Sequence, residues 1–365
     1  MQISIIGCPF QTSYGVYIDS LKAALERKPG NKVQWVGSNC GCGDPIEVGR
    51  LFQTRKCDYF EMHNISDFVS KSPWKRWLRV KARHASYYFR ARRYAELSRD
   101  SEVAHFQQIL NAFGSSSVFH WLNQPSKAAK IVTIHEFDSY QKEFPEQNKI
   151  YNSADALIVH CQEMREKLIG MGIPKEKAHV VLQGVDIPAL DRTGHREGIV
   201  FYGGHKPMAG KGMQPLFKAM AIIKERLGAA TPLLSVHGHY GTNTPEEAIK
   251  LAQQTGIADQ IVWLNQLPIQ EMTHLYQKSL CLVLPYVGSF AGLPVAIAAA
   301  NELPIVCTKN AGIPDHIGKW GLWVEEENPQ QLAEGILEIL GNAQLRMEVS
   351  SGLRKQAEEV LSWDV

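Results

Sequence analysis

The sequence predicts an α/β protein made of two doubly wound, Rossmann-like parallel sheets. Three observations carry this expectation. The 365 residues exceed what one hydrophobic core ordinarily serves and suit two domains. Short β-branched runs alternate with longer amphipathic stretches along the chain, the pattern of parallel sheets covered by helices. The alternation is broken at Val185–Gly198, a polar stretch with proline and glycine and no periodicity. It reads as a linker, dividing the chain into domains 1–186 and 187–365.

In the first domain the β-branched runs predict strands at Gln2–Ile6, Val33–Val36, Tyr59–Met62, Val103–Gln107, Lys130–Ile134, Ala156–His160 and His179–Leu182. Helices are expected near Tyr17–Leu25 and Cys161–Met171. In the second, strands are expected at Gly198–Tyr202, Pro232–His237, Gln260–Leu264, Leu280–Leu284, Pro304–Cys307 and Gly321–Val324. Its helices should run near Met213–Arg226, Glu246–Gln254, Ile269–Gln277, Val295–Ala300 and Gln330–Leu340. Such sheets bind ligands at the carboxyl ends of their strands, so two facing sheets would frame a cleft.

Composition narrows the class. Hydrophobic residues at 44% and charged residues at 21% exclude a disordered chain, a collagen-like repeat and a coiled coil. Met1 leads into the short apolar run Ile3–Ile6 without a basic region, so no signal peptide is expected. No apolar run approaches the ~18 residues of a membrane span. The seven cysteines are scattered without a C-x-x-C pair, which points to a reduced, cytoplasmic chain. Cys40-Gly-Cys42 with Cys57 reads either as reduced loop thiols or as a metal group. No histidine pair has H-E-x-x-H spacing, and no metal is expected.

The net charge of +2 hides an asymmetry. Lys71–Arg99 holds ten Lys and Arg against one acid, Glu96, and the rest of the chain is net acidic. Trp74, Trp77, Tyr87, Tyr88, Phe89 and Tyr94 are interleaved with these charges. The stretch suits an anionic membrane surface with rings at the headgroup level. A solvated helix with its aromatics in the core, or a single-stranded nucleic-acid contact, are the other readings; no nucleic acid is expected.

Two segments carry candidate chemistry. In Leu284–Val306 a buried strand ends in Pro285, a loop of small residues follows, and a helix opens near Gly292-Leu-Pro294. Proline is tolerated in a first turn, where an N–H has no partner. Free N–H groups and the positive dipole end would suit a diphosphate; an ordinary βα turn is the alternative. In Phe201–Gly212 a strand runs into glycines and then Lys206 and Lys211, which could grip phosphate as point charges. It is not a Walker A loop, because Gly212 stands where a hydroxyl is required. The alternative is a solvated loop.

In this order and separation, these segments resemble the retaining glycosyltransferases of the GT-B fold, family 4 (glycosyltransferase group 1). Further matches are the glycine loop Thr12–Val16, the strand Ile131–Asp138 with its histidine, Ser153–His160, Leu182–Asp186 and Ser235–His239. The resemblance covers nearly the whole chain and implies two facing Rossmann-like domains with a cleft between them. It implies transfer of a hexose from a nucleoside diphosphate sugar, by default UDP-glucose, to a hydroxyl of a saccharide or lipid-linked acceptor. Cell-surface or exopolysaccharide biosynthesis, peripheral to the inner membrane face, is the implied setting. His135, Lys206 and Lys211 take catalytic roles by this resemblance. Gly15, Gly204, Gln266, Leu267, Ser289, Phe290, Ala291, Gly292 and Leu293 take the nucleotide sugar, with no metal and no other cofactor.

The sequence departs from the family in one motif. The two glutamates of E-x7-E fall on Ser289 and Ile297, and neither is a carboxylate. Lys206 also replaces the usual arginine. A non-catalytic GT-B subunit and a sugar-nucleotide epimerase therefore stay open beside the transferase. The sequence stops at Ser362-Trp-Asp-Val365, where relatives often continue a C-terminal helix onto the first domain, so truncation is one reading.

Overall fold

The computed structural model describes residues 1–6, 13–36, 88–89, 91–108, 120–135, 151–203, 210–238, 244–265, 267–288, 292–310 and 312–365. It separates into two compact units, Met1–Val181 and Leu182–Val365. Of the expected strands, Tyr59–Met62 lies outside the described residues, as do Cys40, Cys42, Cys57 and most of the basic segment.

The first unit is a six-stranded parallel sheet in the order β2-β1-β3-β4-β5-β6. Its strands are β1 Gln2–Ile6, β2 Lys32–Val36, β3 Val103–Gln108, β4 Ala129–Ile134, β5 Ala156–Val159 and β6 Ala178–Val180. Helix α1, Ser13–Arg27, follows β1, and α2, Gln162–Gly170, follows β5. Ile5, Ile6, Val132, Ile134, Leu157 and Val159 are buried, as expected of parallel strands covered on both faces. Part of the basic segment is helical, at 88–89 and 91–97. Tyr94 turns inward against Phe106, with ring centroids 6.3 Å apart, whereas Tyr88 and Phe89 are exposed.

The second unit is a six-stranded parallel sheet in the order β12-β11-β10-β7-β8-β9. Its strands are β7 Ile199–Tyr202, β8 Leu234–His237, β9 Ile261–Trp263, β10 Cys281–Leu284, β11 Ile305–Thr308 and β12 Leu322–Val324. The helices are α3 Met213–Leu227, α4 Thr244–Gln254, α5 Ile269–Lys278, α6 Gly292–Ala300, α7 Ile313–Ile317, α8 Pro329–Gly341 and α9 Ala343–Gln356. In α3 the buried residues Met213, Leu216, Phe217, Met220 and Ile223 fall at helical spacing and make one core stripe. Asn328 caps α8 by accepting from the Gln331 N–H at 3.0 Å, with Pro329 in the first turn. A one-turn π-helix, Ala357–Leu361, extends α9.

The stretch Val185–Gly198 belongs to this unit rather than standing apart from it. The Val185 N–H donates to the Leu361 carbonyl at 2.8 Å, and Val185 bridges to Ser362. Buried Gln277 donates to the Ala189 carbonyl and accepts from the Asp191 N–H, at 2.9 and 3.0 Å. Polar composition reads as a linker there because the segment's backbone groups pair with scattered side chains such as Gln277 and with isolated carbonyls such as those of Leu361 and Lys278, and not with a continuous strand ladder. Among the described residues no helix is long and apolar enough to cross a membrane.

Candidate functional site

Strand order locates the ligand-binding edge of each sheet. The second unit starts at β7, winds outward through β8 and β9, then returns to β10 on the other side of β7. That reversal opens a crevice at the carboxyl ends of β7 and β10, where doubly wound sheets take ligands. In the first unit the same reversal falls between β1 and β3.

At the β7/β10 crevice the segment Gly210-Lys211-Gly212 lies against the end of β10. The Val287 N–H donates to the Gly210 carbonyl at 3.0 Å. Gly212 has φ +69°, and a Cβ built there would stand 1.8 Å from the Pro285 carbonyl oxygen, so only glycine allows this approach. Lys211 is half-buried, and its Nζ sits 4.0 Å from the centre of the Tyr286 ring, a cation–π contact. The Tyr286 hydroxyl donates to the Tyr202 carbonyl at 2.5 Å, joining β10 to β7. On the other side, Thr308 Oγ1 donates to the Tyr286 carbonyl at 2.6 Å, and Asn310 Nδ2 donates to the same oxygen. Asn310 Oδ1 accepts from the Gly288 N–H at 3.1 Å. The loop leading to α6 is thus held by side chains of β11 and its end.

Helix α6 opens at Gly292 and is buried along its whole length. Gly292 and Leu293 are therefore its first two residues, and Leu267 is half-buried on the carboxyl side of β9. His237, at the end of β8, is buried and pairs with the Tyr276 hydroxyl at 3.2 Å; burial pushes its pKa down to about 3. Gly204, Lys206, Gln266, Ser289, Phe290 and Ala291 lie outside the described residues. Ile297 is 3% exposed, one turn into α6.

The first unit carries a chain of buried polar groups across its carboxyl edge. Side chains alternate along a strand, so His105 and Gln107 of β3 share a face, as do Thr133 of β4 and His135 just beyond it. The β3–β4 register pairs Gln107 with Thr133, and the β4–β5 register pairs Thr133 with Ile158, so His135 comes beside His160. His105 Nε2 lies 2.7 Å from Thr133 Oγ1 and 3.1 Å from the Gln107 amide. His135 Nε2 is 2.9 Å from Gln107 Oε1, and His135 Nδ1 is 3.0 Å from His160 Nε2. His160 Nδ1 ends the chain on the Val181 carbonyl at 2.8 Å. Tyr17 of α1 meets both imidazoles edge-on, with centroids 5.4 and 5.5 Å away. Desolvation, then His160 and His105, hold the His135 pKa well below the imidazole range.

Gly15 stands in the first turn of α1 rather than in a loop before it. Sequence reading missed Gln107, Tyr286 and Asn310, and gave His160 only as the end of a family match. Each stands at or just past the carboxyl end of a β-branched run, which is the signal that could have drawn attention to them. Among the described residues no three His, Cys, Asp or Glu side chains are placed to hold a metal ion.

This combination of doubly wound parallel sheets and polar carboxyl edges defines an α/β protein of the ligand-binding Rossmann-like type, and comparison with known proteins specifies it. Residues 15–188 match the family model "Glycosyltransferase Family 4", and residues 196–342 match "Glycosyl transferases group 1". The chain belongs to the family 4, group 1 glycosyltransferases, and its fold is GT-B. It is 24% identical over 237 residues to the D-inositol 3-phosphate glycosyltransferase of Corynebacterium glutamicum (strain R), covering 60% of this chain and 56% of that protein. The chain spans 55–63% of the length of the first curated relatives it matches. Among solved structures, sucrose-phosphate synthase from Thermosynechococcus elongatus aligns with TM-score 0.70 at 18% identity, covering 100% of this chain and 96% of that one. An E. coli trehalose-6-phosphate protein bound with UDP-2-fluoro glucose aligns with TM-score 0.69 at 11% identity, covering 100% and 97%.

Proposed function

We propose that this protein is a retaining hexosyltransferase that uses a nucleoside diphosphate sugar, by default UDP-glucose. The observation that carries the reading is Lys211, pinned at the β7/β10 crevice between Tyr286 and an obligatory glycine, on the edge where α6 begins. Charge builds on the leaving diphosphate in the transition state, and a fixed cation there stabilises it. Lys206 and the N-terminal turn of α6 would add to this in place of a metal, with Gly204, Gln266, Leu267 and Ser289–Leu293 around the nucleotide. In the first unit His135 would meet a sugar hydroxyl, with Gly15 in the adjoining turn of α1.

The acceptor is a hydroxyl. The relatives' names favour small phosphorylated polyols and sugars as the first candidates, alongside the saccharide or lipid-linked acceptors of cell-surface polysaccharide assembly. Peripheral attachment to an anionic membrane through Lys71–Arg99 is part of the same proposal. The full chain, purified, is to be incubated with UDP-glucose, UDP-N-acetylglucosamine or GDP-mannose, with and without EDTA and D-inositol 3-phosphate. Nucleoside diphosphate release from UDP-glucose that survives EDTA, with an α-anomeric product by NMR, supports the reading. No turnover of any donor overturns it.

A second reading is favoured by Ile297, an apolar residue where the family carries a glutamate. It is a GT-B subunit that binds nucleotide without transfer. UDP binding by calorimetry with no donor turnover would select it.

A further inference from the structure

A cavity of about 500 Å³ opens in the second unit, on the edge of the sheet opposite the β7/β10 crevice. Its walls include residues that precede strands: Arg196 before β7, Leu280 before β10 and Pro304 before β11. In a parallel sheet these mark the amino edge. A further wall is one face of α9, where Arg346 and Ser350 stand one turn apart. Arg196 Nη1 and Nη2 donate to the carbonyls of Glu302 and Asn301 at 2.9 and 3.1 Å, just past the end of α6. The nine residues of α6, roughly 14 Å of helix, therefore lie between this cavity and Gly292. The volume is that of a small-molecule site.

The cavity is positive in a unit that is not. Leu182–Val365 holds 14 Lys and Arg against 19 Asp and Glu. The lining holds four cations, Arg192, Arg196, Lys278 and Arg346, against Asp191 and Glu302. Both acids are already engaged. Asp191 meets Lys278 at 2.5 Å and accepts from the Thr193 N–H and hydroxyl at 2.8 and 2.5 Å. Glu302 takes Arg192 Nη2 at 2.9 Å. The hydrogen bonds of Arg196 and Arg346 go to carbonyls, those of Arg346 Nη1 to Ile339 and Leu340 at the end of α8. Carbonyls satisfy donors without cancelling charge.

Donors are also left over. Among the described residues, Arg346 Nε and Nη2, Arg192 Nε and Nη1, and the Ser350 and Ser351 hydroxyls have no hydrogen-bond partner. Nε and Nη2 form the edge of a guanidinium that grips two oxygens at once. A carboxylate would be used up by that edge alone. A phosphoryl group brings further oxygens for the serine hydroxyls and Arg192, and a double negative charge that equals the excess of cations over acids. The lining has no Phe, Tyr or Trp on which a base could stack.

We propose that this cavity is a second anion site, separate from the donor crevice, that binds a small phosphate monoester. The site does not depend on the transferase reading, because none of its residues belongs to the β7/β10 crevice.

The test is calorimetry on the full chain with glycerol 3-phosphate, inorganic phosphate and glycerate, in wild type and in Lys211→Ala. Glycerol 3-phosphate is expected to bind with one equivalent in both proteins. It should bind more tightly than inorganic phosphate and at least about tenfold more tightly than glycerate. Arg192→Gln removes an exposed cation, and Ser350→Asp adds a negative charge to the same wall. Each should weaken the ester at least about tenfold while leaving UDP affinity unchanged. No binding of either phosphate overturns the proposal, as does ester binding that disappears in Lys211→Ala or is unchanged in both folded wall variants. Glycerate or inorganic phosphate binding as tightly as the ester also overturns it. Loss of UDP binding or of donor turnover in wild type would sink the transferase reading and leave this site standing.

Discussion

Replacing Gly212 with alanine puts a methyl group where the end of β10 already has a carbonyl. A Cβ at this position would stand 1.8 Å from the Pro285 oxygen and 2.7 Å from its carbonyl carbon, against roughly 3.3 Å for a close C···O approach. The two segments must separate by more than an ångström, and both are anchored, by the Val287–Gly210 hydrogen bond and by Tyr286 on Tyr202. Two penalties add. Holding a non-glycine residue in the left-handed region costs about 1–2 kcal/mol, and overpacking costs about 1–3 kcal/mol. The expected loss is therefore about 2–5 kcal/mol, a large part of the ~5–15 kcal/mol that stabilises a domain.

Gly256 supplies the control. It shares the left-handed backbone, with φ +73°, but nothing lies within 4 Å of its would-be Cβ. Gly256→Ala should show only the backbone penalty of about 1–2 kcal/mol, and the difference between the variants isolates the clash. Urea unfolding followed by tryptophan fluorescence measures both, and UDP calorimetry asks whether Lys211 has left its position over Tyr286. A Gly212→Ala protein no less stable than Gly256→Ala, with wild-type UDP affinity, would refute the reasoning.

Other outcomes follow from the same geometry. Lys211→Ala should cost about 2–4 kcal/mol of transition-state stabilisation in donor turnover; unchanged steady-state kinetics in a folded variant would remove Lys211 from the site. Wild type should prefer UDP over 2′-deoxy-UDP by less than about tenfold, ~1.4 kcal/mol, because Ile297 cannot accept a hydrogen bond from ribose. Larger discrimination by calorimetry would mean that another group holds the ribose hydroxyls. Acid should destabilise the protein early. Burial holds His105 and His316 at about 4 and His237 at about 3, whereas the unfolded chain takes up these protons near pH ~6.5. Their contribution is therefore full above that value and falls as pH drops, by up to about 1.4 kcal/mol per pH unit for each histidine. Urea midpoints unchanged between pH 7 and pH 5 would contradict this.

The strands were legible because burial on both faces leaves a continuous apolar run, as in Cys281–Leu284, where all four residues are buried. Helix α9 was not. Its sequence AQLRMEVSSGLRKQ has Ser-Ser-Gly at its centre, and only Val349, Gly352 and Leu353 are buried. Tertiary packing overrides the weak propensity, because a Cβ on Gly352 would lie 2.2 Å from the Trp320 ring. The distance of 32 residues between Trp320 and Gly352 in sequence hides that reason. The candidate site divides the same way. Gly210-Lys211-Gly212 is a local signal and was readable. Gln107, His135 and His160 come from three strands and meet only through register, which no single stretch of sequence reports.

By the family resemblance Ile297 stands where relatives carry a glutamate, and the surroundings of α6 bear on whether the proposed diphosphate could still sit at its amino end. All nine of its residues are buried, so its dipole is poorly screened by water. Its carboxyl end is matched by guanidinium groups: Arg354 donates to the Ala300 carbonyl at 2.6 Å, and Arg196 donates to the carbonyls of Asn301 and Glu302 at 3.1 and 2.9 Å. Its first turn holds no acidic side chain, and it begins on the edge where Lys211 is fixed. Positive charge thus sits at the negative end of the dipole, while the positive end has no acid of its own to compensate it. A carboxylate at residue 297 would stand one turn inside that field and oppose a diphosphate arriving at Gly292. In the proposed transferase, isoleucine would give up a ribose contact there but would leave the helix end and Lys211 undiminished for the phosphates.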